Sequence, residues 1–193
     1  MQTARLRIMS QREDLLAGAK RCLTEKGYGR TTARDIAAAS GTHLGAIGYH
    51  FGSKDNLMNT AVLEATSEWG DRMEAAVRAA QAGDPARRLE VFLTELFAAV
   101  HQERDLLVAS IQAYSQAHFD ESIRTRIAAG FAEARTALAA MVLGAAEVDE
   151  ATADELGSLV YALVTGYLVQ SLADPDFSPP PDRLVTALHR LAS

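Results

Sequence analysis

The sequence predicts an all-α fold of about nine helices, with a small helix-turn-helix head in front of a larger helical body. Three observations predict it. Apolar residues recur at three- and four-residue spacing along most of the 193 residues. Runs that alternate apolar and polar residues are absent, and alanine and leucine dominate. Cap residues and helix-ending glycines or prolines punctuate the chain at helix-length intervals. Apolar residues at 48% and charged residues at 23% exclude a disordered chain.

Each helix has its own signals. Ser10-Gln11-Arg12-Glu13 reads as a capping box opening the first, with Leu15, Leu16, Ala19, Cys22 and Leu23 as its stripe. Gly27 and Gly29 end it. Thr32-Ala33-Arg34-Asp35 is a second box, starting a short helix that stops at Ser40-Gly41. A third helix fits Leu44 to His50. Ser53 caps a fourth, with Asp55 in its first turn, running past Trp69 toward Ala80. Asp84-Pro85 is a cap followed by an N1 proline, and Leu89, Phe92, Leu93, Leu96, Phe97 and Val100 then share a face. A sixth helix covers Arg104 to Ala117. A seventh follows Asp120, with Ile123, Ile127, Phe131, Ala134, Leu138 and Met141 in line. The eighth runs from Ala151 to Ala173, and a ninth from Asp182 to Ala192 follows a proline-rich break. Two domains are expected, 1–58 and 59–193.

Composition narrows the function. The single cysteine, Cys22, rules out an internal disulfide framework and fits a reducing cytoplasm. Residues 1–10 hold Arg5 and Arg7 but no apolar stretch, so no signal peptide is expected there. The longest apolar run, Leu159 to Val169, is too short to span a bilayer, so no membrane partner is expected. The net charge of -6 hides an asymmetry. Residues 1–58 carry nine lysines and arginines against five carboxylates, whereas 59–193 carry ten arginines against twenty. A basic head on an acidic body suits contact with a polyanion through the head alone.

No enzyme is expected. Gly41, Gly45 and Gly48 lack the G-x-G-x-x-G spacing and no strand precedes them. His101 and His118 have no partner at metal-ligand spacing, so neither metal nor cofactor is expected.

Two short helices joined at Gly41, with Ile36, Ala37, Ile47 and Phe51 as a small core under the first helix, have the layout of a helix-turn-helix. The residues along it resemble the DNA-binding head of the TetR/AcrR family. They are Gly27-Tyr28, Thr31-Thr32, Asp35-Ile36-Ala37, Gly41, Gly45, Ile47, Tyr49-His50-Phe51-Gly52-Ser53-Lys54 and Leu57. The resemblance covers residues 10–60. It departs from the family's usual pattern at Gly48, often tyrosine, and His43, often serine.

The resemblance implies a homodimeric transcription regulator, a repressor released from a palindromic operator by a small-molecule effector. The alternative is a helical sensor or adaptor that activates, or that binds no operator. Phosphates would meet Thr32, Tyr49, His50 and Lys54, with Arg34 also among the DNA-binding residues. Base edges would meet Thr42, His43, Leu44, Gly45, Ala46 and Gly48, with Leu44 and Ala46 offering apolar contact. Dimerisation is expected on the last two helices through Leu156, Leu159, Leu163, Tyr167, Leu184, Leu188 and Leu191, faces that would equally fill a monomer core. An effector pocket is expected among Trp69, Met73, Phe97, His101, Tyr114, His118, Phe131, Arg135, Tyr161 and Gln170.

Overall fold

The computed structural model describes residues 2–116, 118, 121–174, 176, 177 and 179–192. Among them lie nine helices and no strand: α1 (Gln2–Lys26), α2 (Ala33–Ser40), α3 (Gly45–Phe51), α4 (Lys54–Ala79), α5 (Pro85–Gln102), α6 (Arg104–Gln116), α7 (Glu121–Leu143), α8 (Glu150–Ala173) and α9 (Pro181–Ala192). Most expected boundaries hold within a residue or two. The exception is α1. Ser10 does not open it but lies inside it, its hydroxyl 3.4 Å from the Asp14 carboxylate one turn on. A capping box needs an extended residue before it, and here helix already precedes Ser10.

The chain divides into two compact units. The first comprises Met1–Thr66 and Asp105–Ile127. Its core gathers Leu15, Leu16, Ala19, Cys22 and Leu23 of α1, Ile36 of α2, Ala46 and Ile47 of α3, and Leu57, Met58, Ala61 and Val62 of α4. Ala109 and Ala113 of α6 belong to the same core. This division differs from a cut at residue 58, because the apolar faces of α4 and α6 continue the head's core past that point. Where α1 crosses α2, a Cβ at Gly18 would lie 2.9 Å from Ser40 Cβ, so the two helices approach at backbone distance. Arg21 on α1 donates to the Ala39 carbonyl and satisfies an end of α2.

The second unit comprises Ser67–Arg104 and Ala128–Ser193. Leu89, Phe92, Leu93, Leu96 and Val100 of α5 are buried there, with Ala139 and Val142 of α7, Val160 and Val164 of α8 and Val185 of α9. Asp84 accepts from the Arg87 amide at 2.9 Å, the expected cap of α5. Near its start α8 widens into one π-helical turn, Ala153–Gly157. A Cβ at Gly157 would stand 2.2 Å from the Arg135 carbonyl oxygen, so α8 rests directly on the backbone of α7. By length and composition α8 could cross a membrane. The expectation from the run Leu159–Val169 missed this, because the helix extends well beyond that run.

Candidate nucleic-acid interface

The helix pair α2–α3 is built from local chemistry. Thr32 accepts from the Asp35 amide at 3.2 Å, while Asp35 accepts from the Thr32 amide at 2.9 Å, closing the capping box. Lys26 at the end of α1 reaches Asp35 at 2.6 Å. This ammonium, with the Thr32 hydroxyl and amide, holds the Asp35 carboxyl well below the usual carboxylate range. Gly41 ends α2 at φ 67°, a left-handed conformation that costs glycine nothing. Ser53 accepts from the Asn56 amide at 3.0 Å and caps α4, as expected.

Lys54 ties two helix beginnings together. Its Nζ lies 3.4 Å from the Thr31 carbonyl, just before α2, and 3.1 Å from Asp55 in the first turn of α4. The positive ends of α2 and α4 thus converge beside one ammonium group. Thr32 and Arg34 are exposed on the same stretch of α2. The Thr32 hydroxyl is already spent, however, since it donates to Asp35 at 2.7 Å. Donors for a phosphate at α2 are therefore the free first-turn amides and Arg34, not that hydroxyl.

The outer face of α3 presents His43, Leu44, Gly45, Gly48 and Tyr49, all exposed, with Thr42 half-buried beside them. Tyr49 is 74% exposed and meets the His50 ring edge-on at 4.9 Å. One expectation fails here, and another is narrowed. Ala46 is 2% exposed and packs in the core with Ile47, because it lies on the inner face of a helix only seven residues long. His50 is half-buried, and its Nε2 is enclosed with no hydrogen-bond partner. A phosphate contact by His50 must use its other ring nitrogen or a turned ring.

Sequence reasoning missed a buried pair behind this face. Tyr28 donates to Asn59 Oδ1 at 2.8 Å, joining the loop before α2 to α4. Burial, reinforced by nearby Asp55, pushes the Tyr28 phenol up to about 12, so it stays a donor at any working pH. A tyrosine and an asparagine 31 positions apart carry no joint signal in sequence.

The residues expected around a pocket fall on several helices. Trp69 and Met73 are buried on α4. Phe97 stacks on Tyr167 at 3.7 Å, and Phe131 lies 5.3 Å from Tyr161. Arg135 pairs with Asp154 at 3.6 Å. Gln170 is exposed on α8, bonded to the Gly166 carbonyl. Tyr114 and His118 belong to the first unit, and the His101 side chain lies outside the described residues. None of them lines the open groove of about 1200 Å³ that runs between the later half of α4, α7 and the α7–α8 loop. Val77, Ala132, Ala140 and Met141 form its apolar part, with Glu74, Arg78, Glu133 and Glu147 among its charged residues.

The expected dimer face is partly corrected. Tyr167 is 5% exposed and buried in its own unit against Phe97. Leu156, Leu163, Leu184 and Leu188 are half-buried, whereas Leu159 is 50% and Leu191 86% exposed. The outward seam of α8 is Leu159, Ala162, Gly166, Val169 and Ala173. Its spacing of three and four residues is that of a helix meeting another helix.

Comparison with known proteins accounts for both units. Residues 15–61 match the family of bacterial regulatory proteins of the tetR type. Residues 85–193 match the C-terminal region of BetI-type transcriptional repressors. The chain is 46% identical over 48 residues to the HTH-type transcriptional repressor AcnR of Corynebacterium glutamicum, covering 25% of this chain and 26% of that one. It is 31% identical over 86 residues to the HTH-type transcriptional regulator TtgR of Pseudomonas putida, covering 45% and 40%. The aligned region thus spans well under half the length of either relative. A putative transcriptional regulator from Rhodococcus sp. RHA1 superposes with a TM-score of 0.71 at 18% identity, over 91% of this chain and 90% of that one. The head's matched residues and a body model covering more than half of the sequence together make this chain a member of the TetR family of bacterial regulatory proteins.

Proposed function

We propose that the protein is a homodimeric, sequence-specific DNA-binding repressor that a small-molecule effector releases from a palindromic operator. The observation that carries this reading is the convergence of the α2 and α4 N-termini on Lys54 beside the exposed face of α3. Phosphates fall to Lys54, Arg34, Tyr49 and the α2 amides, and base edges to Thr42, His43, Leu44, Gly45 and Gly48. One such helix covers few base pairs, so a second copy is needed, and the outward seam of α8 is where it docks. That partner, rather than lipid, covers the apolar face of α8 in a protein of the cytoplasm.

Release by an effector has a route. α6 begins with Arg104, whose guanidinium donates to the Ser171 and Leu172 carbonyls at the end of α8. Further along, Ala109 and Ala113 sit in the head's core. α4 likewise runs from Lys54 to the groove residues Glu74 and Val77. An effector in the second unit that shifts either helix biases the head, with a coupling of about 1–3 kcal/mol in typical regulators.

Selection of bound duplexes from a random pool tests the reading. The expected product is a palindrome whose affinity falls steeply with salt, and Lys54→Ala should weaken all retained sequences about equally. No preference among duplexes at moderate salt overturns it.

A further inference from the structure

The outer face of α3 is poor in the groups that read bases. Guanine is recognised by arginine or lysine, adenine by asparagine or glutamine, and cytosine by a carboxylate. None of these occurs from Thr42 to Tyr49. Thr42 is further restricted. Its hydroxyl lies 2.7 Å from that of Ser40, a contact in which either can donate, so it is already engaged within the turn.

Beside the exposed His43 and Tyr49, the aliphatic group on this face is Leu44. It is 50% exposed at the start of the helix, in right-handed helical conformation. Ala46 and Ile47 point into the core. Gly45 beside it and Gly48 one turn on carry no side chain that could shield it. The only alkyl group in the major groove is the C5-methyl of thymine or 5-methylcytosine.

We propose that Leu44 of each subunit packs on the C5-methyl group of one pyrimidine in each half-site, and that this position is read by that methyl alone. The inference rests on the operator reading above. Thymine and 5-methylcytosine are then accepted, while uracil and cytosine are disfavoured. Burying one methyl-sized group corresponds to about fourfold in affinity, and the two half-sites together to about fifteenfold.

The test uses the full-length protein and the duplex recovered by selection. Each thymine is replaced in turn by uracil, symmetrically in both half-sites, at fixed salt. One position per half-site should lose about fifteenfold. At that position cytosine, paired with guanine, should lose about as much, and 5-methylcytosine should restore binding. Leu44→Ala should bind all four duplexes within about twofold of one another, and Leu44→Met should keep the preference. Absence of any uracil-sensitive position, failure of 5-methylcytosine to restore binding, or sensitivity that persists in Leu44→Ala overturns the proposal and leaves operator binding intact. These DNA-side substitutions decide the matter even if a variant folds poorly. If no duplex is recovered at all, the operator reading fails and this inference falls with it.

Discussion

The face of α3 and the outward face of α8 differ in a way that explains how this molecule is organised. Both are exposed helix surfaces. The α3 face is low and sparsely polar, with two glycines and one leucine, above a full core of its own. The α8 face is apolar and closely spaced, on a helix whose opposite side is already buried through Val160, Val164, Tyr167 and Ser171. A surface that needs water and phosphate on its rim can stay open in a lone subunit. An apolar seam is stable only when covered. This contrast agrees with the proposed assignment of the first surface to nucleic acid and the second to another copy of the chain.

The largest effect should come from breaking the seam. Leu159→Glu combined with Val169→Glu should yield monomers by sedimentation. Because two half-sites then bind independently, operator affinity should fall at least a hundredfold. A double variant that remains dimeric would remove α8 from the dimer interface. Next in size is Gly157→Val. Its Cβ would collide with the Arg135 backbone, so a loss of about 2 kcal/mol in chemical denaturation is expected, as for overpacked cores. Thr32→Ala removes one half of the capping box and should cost about 1 kcal/mol.

The same cap predicts a pH effect. The Asp35 carboxyl titrates lower in the folded chain than in the unfolded one, so its contribution is intact above about pH 4 and fades as acid protonates it. Asp35→Asn should flatten the fall in melting temperature below about pH 4. If both proteins lose stability in parallel, Asp35 is not part of the acid response. The smallest effect has the opposite sign. Gly48 has open space around it and no left-handed backbone, so Gly48→Ala should stabilise the fold by up to about 1 kcal/mol. Measured on the operator, the same variant should bind no better than the parent, since the added methyl enters the face proposed to meet DNA.

The head was legible in sequence because its determinants are local. Thr32 and Asp35 are three residues apart, and Gly41 stands where a turn needs a left-handed residue. Misreadings there came from helix rotation: Ala46 turns inward because Ile47 beside it fills the core. The body was legible only as helices. α8 is apolar nearly all round, so nothing in its sequence assigns Tyr167 to its own core and Leu159 to the surface. That assignment depends on where Phe97 and the Arg135 backbone happen to lie, about seventy and about twenty residues away in sequence. The groove along α7 escaped notice for a related reason. Its lining mixes alanines, which read as ordinary helix filler, with charged residues, which read as solvated surface.

Ala109 and Ala113 have a consequence for anyone building chimeras. A head transplanted onto another regulator after residue 58 would leave behind the two alanines that close its underside, together with Ala61 and Val62. The graft would expose apolar surface and be prone to aggregate, or would meet a foreign sixth helix with the wrong side chains. Exchange of DNA specificity between such proteins should work by recutting the face of α3 alone, or by carrying residues 105–127 along with the head.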